Sequence, residues 1–406
     1  MVIPNMVKIR QLFKKDHIEN PPATVSERLK ESGLMNRIKN GSRIAVTAGS
    51  RGITGIQCIL RAVVDELKHI GAQPFIVPTM GSHGGGTAEG QVKMLETLGI
   101  TEQSMGVPII SSMETVELGK TPSGFLVYMD KNALNADGIV VVNRVKLHTA
   151  FQGSVQSGLC KMVAIGLGKR EGAHAIHRMG LGDVFAEIFS AAHENANIVM
   201  GVAILENAFD ETMDIRVVPP EKFIVTDMEL LERCKEVIPR IPIPVFDILI
   251  VDEMGKNISG AGMDSNVIGF WRRWGGEKKP DYRTLIVRSL TPESHGNALG
   301  IGLADFTTRR CVDSIDFNAT YTNVITSMQW ITGRIPIMLE NDHECLRAAV
   351  EKYDPGMARI VRIKNTLQLE ELYISENLVD LLKGRTDVEI SGEHEPILFD
   401  SEGFLV

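Results

Sequence analysis

The sequence predicts an α/β protein of two domains with mainly parallel sheets and an active site in the cleft between them. Three observations predict it. From residue 42 onward short apolar runs alternate with amphipathic segments, which implies parallel strands joined by helices. The run "GIVVVNRV" (138–145) is apolar along most of its length, as a strand buried on both faces should be. Around Val237–Pro244, "VIPRIPIP" interrupts regular structure with prolines, and a fresh apolar run, "FDILIVDE", follows at once.

The stretch "SRIAVTAGS" (Ser42–Ser50) reads as the first strand of this pattern, ending in small residues. Behind it Ile56, Ile59, Leu60, Val63, Val64, Leu67 and Ile70 recur at three- and four-residue steps, one face of an amphipathic helix. "GAQPFIVP" supplies a C-cap glycine and a second strand, and the glycine-rich "TMGSHGGGT" leads into a helix near Ala88–Leu98. "VPIIS" and "GIVVVNRV" read as further strands. Beyond the prolines, "RTLIVRSL", "ADFTTRRCVDSI", "HECLRAAVEKY" and "MARIVRIKN" continue a second α/β pattern. The expected organisation is an N-terminal domain over 1–238, a C-terminal domain over 244–392, and a tail over 393–406 packing back on the N-terminal domain.

Bulk properties narrow the function. A length of 406 residues is ample for two cores, and 44% hydrophobic with 23% charged residues is an ordinary soluble composition. A formal charge of −8 without a basic block argues against a nucleic-acid surface. No apolar stretch is long enough to span a bilayer, and the N-terminus lacks a signal-peptide pattern. Five scattered cysteines form neither a disulfide framework nor a zinc spacing, which points to a reducing, cytoplasmic home.

Ligands of open α/β sheets bind beyond the carboxyl ends of the strands. That rule selects Arg51 after the first strand, His83 after the second, His148 after "GIVVVNRV" and Lys256 after "ILIVDEM". His83 lies among glycines that either clear space around an imidazole or only permit positive φ before a helix. His174 and His177 share a helix face, a spacing more often found at a surface than at a metal. Lys161, in "SGLCKMVAIGLG", is either a snorkelling surface lysine or a desolvated amine suited to covalent chemistry. Cys160 beside it reads as a packed thiol. No G-x-G-x-x-G opens a helix behind the first strand, and "GLGKRE" lacks the first glycine and the Ser/Thr of a phosphate loop. A dissociable dinucleotide or nucleoside triphosphate is therefore disfavoured.

The ordered set Arg51, His83, His148, Lys161, His177 resembles the nickel-pincer lactate racemase family. That family carries an arginine after its first strand, a histidine in a glycine turn, a second histidine behind a later strand, then a lysine and a third histidine. The steps here, 32, 65 and, from Lys161 to His177, 16 residues, are similar to the family's. "HTAFQG" is similar to its H-x-F-A-G turn, and "DEMGKNISGAGMDSN" resembles a glycine-rich motif of family members. The chain departs from the pattern at Ala48, where lactate racemase has an aspartate, and at Gly84-Gly85, where the family has Arg-Pro.

The resemblance implies a racemase or epimerase that inverts C2 of a 2-hydroxy acid. Hydride leaves C2 to give a planar 2-keto acid and returns to the other face. The implied cofactor is the nickel-pincer nucleotide, a pyridinium-3,5-bisthiocarboxylic acid mononucleotide carrying nickel, bound covalently to Lys161. His177, rather than His174, would complete the nickel coordination. His83 and His148 would alternate as acid and base on the hydroxyl proton. Arg51 would clamp the substrate carboxylate through its two parallel donors, with Lys256 as a second anion contact. The implied partners are a small-molecule 2-hydroxy acid and the host's cofactor-maturation proteins, with no nucleic acid and no membrane; oligomeric state is left open. A sugar-acid 2-epimerase of the same chemistry is a variant, because glycines in place of Arg-Pro enlarge the pocket. From other classes come a zinc-type hydrolase using His83, His148 and His177, and a non-catalytic small-acid-binding protein.

Overall fold

The computed structural model describes residues 2–50, 52–179 and 184–406, the side chains of residues 177–179 excepted. The chain is a mixed α/β protein with mainly parallel sheets, in two compact units: Lys14–Ile238, and Met1–Phe13 together with Pro239–Val406.

The N-terminal unit is built on a five-stranded sheet. Its order is Gln73–Pro78, Arg43–Ala48, Gly138–Arg144, Ile198–Glu206, Thr212–Val218; the first four run parallel and the last antiparallel. Alternation of side chains explains why these strands are apolar throughout. Ile44, Val46 and Ile76 face a layer that includes Ile59, Leu60, Val63, Val64 and Leu67 of the helix Ile56–His69. Ala45, Phe75, Val77 and Val141 face the opposite layer, which holds Leu159, Phe185, Phe189 and Phe223.

Two segments differ from the sequence reading. "VPIIS" is not a full strand: Ile109 makes one isolated bridge to Ile76, whose N–H donates to Pro108 O at 2.9 Å. Pro108 has no N–H to extend a ladder. Conversely Ile198–Glu206, unassigned from sequence, is a nine-residue strand buried at every position.

The C-terminal unit holds an eight-stranded sheet ordered Ile337–Leu339, Phe306–Thr308, Thr284–Val287, Ile248–Val251, Ile360–Ile363, Glu371–Ser375, Met6–Gln11, Val388–Glu395. The first five are parallel and the last three are joined antiparallel. Residues 1–13, grouped with the N-terminal domain in the sequence reading, instead contribute an inner strand here. The tail, grouped with neither domain in the sequence reading, is held within this unit. Leu405 N–H donates to Asp342 Oδ2 and Leu405 O accepts from Arg288 Nη2, each at 2.8 Å. Phe399 and Leu405 pack against the cluster of Ile248, Ile250 and Leu346. Among the described residues, no helix is long and apolar enough to cross a membrane.

The Met6–Gln11 strand buries Val7 and Ile9 completely and is paired on both edges. Ile9→Ala should therefore destabilise the C-terminal unit by about 2–5 kcal/mol through lost burial and a cavity. Denaturant unfolding, with limited proteolysis to locate the loosened unit, checks this. Unchanged stability would show that the strand is dispensable.

Candidate active site

Strand order dictates where a site can form. From the strand Arg43–Ala48 the chain moves to one side of the sheet, to Gln73–Pro78, and later to the other, to Gly138–Arg144 and Ile198–Glu206. The order thus reverses between Arg43–Ala48 and Gly138–Arg144, which opens a crevice at their carboxyl ends. Ser50 follows the first of these strands and His148 the other, while His83 follows the neighbouring Gln73–Pro78.

His83 sits in a tight turn. Gly84, Gly85 and Gly86 all have φ between 65° and 69°. Gly84 also packs on the first turn of the helix Ala88–Thr97: a Cβ on it would lie 2.6 Å from Gly90 C, so no other residue fits. Thr87 caps that helix, its Oγ1 accepting from Gly90 N–H at 3.0 Å. The His83 ring meets the loop after the first strand, with Ser50 Oγ 2.6 Å from Nδ1. The turn reaches the next helical segment too, Gly81 N–H donating to Gly166 O at 3.5 Å.

The loop after Gly138–Arg144 folds back on itself around His148. Its backbone N–H donates to Gln156 Oε1 at 2.9 Å, and its Nδ1 accepts from Ala150 N–H at 3.1 Å. A backbone N–H can only donate, so the neutral ring in this arrangement carries its proton on Nε2. The ring lies against Phe151 with centroids 4.2 Å apart, Phe151 meets Phe185 at 5.5 Å, and Lys161 Nζ is 5.7 Å from the Phe185 centroid. Two aromatic rings thus connect His148 to Lys161.

Lys161 ends the short helix Gly158–Lys161 and opens a π-helical stretch, Met162–Leu167. Such wide turns are rare and often mark functional sites. The helix start is fixed from below by Asp227, whose two oxygens accept from Leu159 N–H at 2.9 Å and Cys160 N–H at 2.8 Å. Gly158, at φ +87°, leaves room for that carboxylate; a Cβ there would lie 2.1 Å from Asp227 Oδ1. Burial pushes the Asp227 carboxyl up to about 7, against the pull of the two N–H donors. Burial, with Asp227 beside it, also pushes the Cys160 thiol well up, so Cys160 is a packed thiol and not a nucleophile.

The remaining sequence candidates are Arg51, His177, His174 and Lys256. Arg51 lies outside the described residues. His177 lies on the helix Lys169–Met179, but its side chain is outside the described residues; His174, on the same helix, is exposed. Lys256 belongs to the C-terminal unit, where its ammonium donates to Gly260 O at 2.6 Å and Asn323 Oδ1 at 3.3 Å. Among the described residues, no three His, Cys, Asp or Glu side chains cluster as a metal cage.

Sequence reasoning missed several residues that hold this edge together. Ser50 is one. Another is the buried ion pair of Arg144 with Glu206, whose Oε1 also accepts from Thr54 N–H at 2.9 Å and so ties the loop carrying Ser50 to a distant strand end. Asp227 left a readable trace. It lies on the buried stripe Phe223, Thr226, Asp227, Leu230, Leu231, Cys234 of the helix Phe223–Val237, where a carboxylate is out of place without a partner.

Comparison with known proteins agrees with this architecture. Residues 11–187 match the family model of the lactate racemase N-terminal domain. The stretch holds the whole constellation from Ser50 to the helix after Lys161, so this part of the chain is similar to the lactate racemase N-terminal domain. Among solved structures the fold is similar to that of the lactate racemase apoprotein from Thermoanaerobacterium thermosaccharolyticum. The TM-score is 0.53 at 13% identity, over 96% of this chain and 98% of that one. No curated protein sequence matches significantly.

Asp227 gives a pH test. Its folded pKa is raised, so its contribution to stability is fully present below the ordinary carboxylate range, near 4, and is lost as pH rises through about 7. The stability of the protein relative to Asp227→Asn should therefore fall between pH 5 and 8, by on the order of 2–3 kcal/mol. Thermal unfolding of both proteins across that range measures it. A pH-independent difference would contradict the raised carboxyl.

Proposed function

We propose that this chain is a racemase or epimerase that inverts C2 of a small 2-hydroxy acid. The observation that carries the reading is the convergence described above: two histidines and one lysine on segments that meet at the sheet's switch point, within the stretch that matches the lactate racemase domain. His83 and His148 leave different strands, so they can address one substrate hydroxyl from different sides, as inversion requires. They act as the paired base and acid on that hydroxyl. For His148 to receive a proton on Nε2, the ring must shift its other proton to Nδ1 and let go of the Ala150 N–H. Each cycle thus breaks and remakes that bond. Arg51 serves as the carboxylate clamp, its fork matching two carboxylate oxygens.

The residues fit a tethered nickel-pincer nucleotide in their chemistry. Lys161 offers an amine for an acyl linkage, seated over an aromatic ring at a π-helical turn. His177, sixteen residues on, offers an imidazole for nickel. When bound, such a group supplies the hydride acceptor and donor that proton transfer alone cannot provide. The chain's own residues bind the carboxylate, orient the hydroxyl and move its proton. Three glycines beside His83 leave that side of the turn without side chains, which favours a sugar acid as the bulkier alternative substrate. We place the protein in the cytoplasm, where its five free thiols stay reduced.

Protein purified from its native host should carry a covalent adduct on Lys161, and Lys161→Ala should fold normally but lose both the adduct and turnover. Peptide mapping checks this; an unmodified Lys161 in active protein would overturn the tether. His83→Ala and His148→Ala should each cost on the order of a hundred- to ten-thousand-fold in rate while retaining the adduct. Full activity in either variant would remove that histidine from the mechanism.

A further inference from the structure

One buried cation at this edge has no part in the chemistry above. Lys169 opens the helix Lys169–Met179, directly after the π-helical stretch, and its side chain is fully buried. It holds φ +53°, a left-handed conformation that residues with a Cβ avoid. A buried ammonium is costly unless every donor is matched. Here it donates to Pro78 O, at the end of the strand before His83, and to Gln91 Oε1 at 3.2 Å, and it forms an ion pair with Asp130, whose Oδ2 lies 3.1 Å away. Asp130 is itself fully buried, its other oxygen accepting from Ala133 N–H at 2.9 Å.

Gln91 carries the consequence. It is fully buried in the helix Ala88–Thr97, and its Nε2 donates to Gly81 O at 2.9 Å and to His83 O at 3.4 Å. An amide side chain can sit in either of two orientations related by a flip. An ammonium only donates, so Lys169 accepts nothing and compels Gln91 to turn its oxygen inward and its NH₂ toward the turn. One cation thereby fixes both ends of the His83 turn, through Pro78 before it and Gln91 after it. It also ties that turn to the helix bearing His174 and His177.

We propose that Lys169 is a positioning residue for His83: by fixing the Gln91 amide it clamps the Gly81–His83 backbone onto the start of the helix Lys169–Met179. Loss of the clamp loosens the turn and displaces the imidazole from the reacting hydroxyl, so turnover falls while substrate affinity, set elsewhere, is kept. This kinetic part rests on the racemase reading above; the structural part does not.

The separating variant is Gln91→Glu. It keeps an acceptor for Lys169 but replaces the two donors to Gly81 O and His83 O with a carboxylate oxygen. Gln91→Met, which gives up both, and the doubly neutral Lys169→Met/Asp130→Asn serve alongside it should Gln91→Glu fold poorly. Hydrogen exchange by mass spectrometry on the whole chain should show peptides over 79–87 exchanging about tenfold faster or more in each variant, with the strands Arg43–Ala48 and Ile198–Glu206 unchanged. With native-host protein, kcat should fall on the order of ten- to a hundredfold while KM stays within about twofold. A purely structural lysine would lower the unfolding temperature and leave both the turn's exchange and the kcat of folded protein alone, and that result would overturn the proposal. If the unaltered protein shows no turnover on any 2-hydroxy acid, the racemase reading fails, and the exchange data still decide whether Lys169 holds the turn.

Discussion

The pairing of Arg43–Ala48 with Gly138–Arg144 is the constraint on which the rest of the candidate site depends. These strands are parallel neighbours although 94 residues separate Arg43 from Asp137, whose carboxylate accepts the Arg43 N–H. Because Gln73–Pro78 lies on the far side of Arg43–Ala48, the loops that leave the two paired strands diverge, and a crevice remains between them. Ser50 and His148 follow the two strands that flank this gap, and His83 follows Gln73–Pro78 beside them. Any register slip in the sheet would move all three, which is why the strands are apolar on both faces and packed on both sides.

Burying loops at such an edge creates a second requirement: polar groups drawn into the interior must be matched. Asp227 satisfies the first N–H groups of the helix that presents Lys161. Glu206 satisfies Arg144 and the Thr54 N–H. Asp130, Gln91 and Pro78 satisfy Lys169. Each is an ionisable group drawn out of water and held by partners from distant parts of the chain. Each couples a loop or helix start at the edge to the rigid sheet or its supporting helices. Unmatched, any one would be severely destabilising; matched, they hold the backbone of this edge in place.

How much of this was legible follows from the range of the interactions. The strands Arg43–Ala48, Gln73–Pro78 and Gly138–Arg144 and the helix Ile56–His69 are written in local apolar patterns, and the structure has them within a few residues. His83 and His148 were singled out because they follow such strands. Lys161 was singled out by its apolar setting and by resemblance. Asp227, Gln91 and Lys169 could not be found that way, since their partners lie 67–68, 8–78 and 39–91 residues off and the sequence does not announce the pairing. The same holds for Met6–Gln11, whose neighbours come from beyond residue 370. The lone carboxylate on the buried stripe of Phe223–Val237 was the one missed group with a local signature.

The central claim, that the edge supports inversion at C2 by hydride departure and return with the histidines moving only the hydroxyl proton, has one most direct measurement. A 2-hydroxy acid deuterated at C2 is incubated in ordinary water with protein from its native host, and the product enantiomer is analysed for label. Deuterium should stay at C2 in the inverted product, because it leaves and returns as hydride without meeting solvent. Deuterium lost to water in step with inversion would mean proton abstraction at carbon, and would contradict the account.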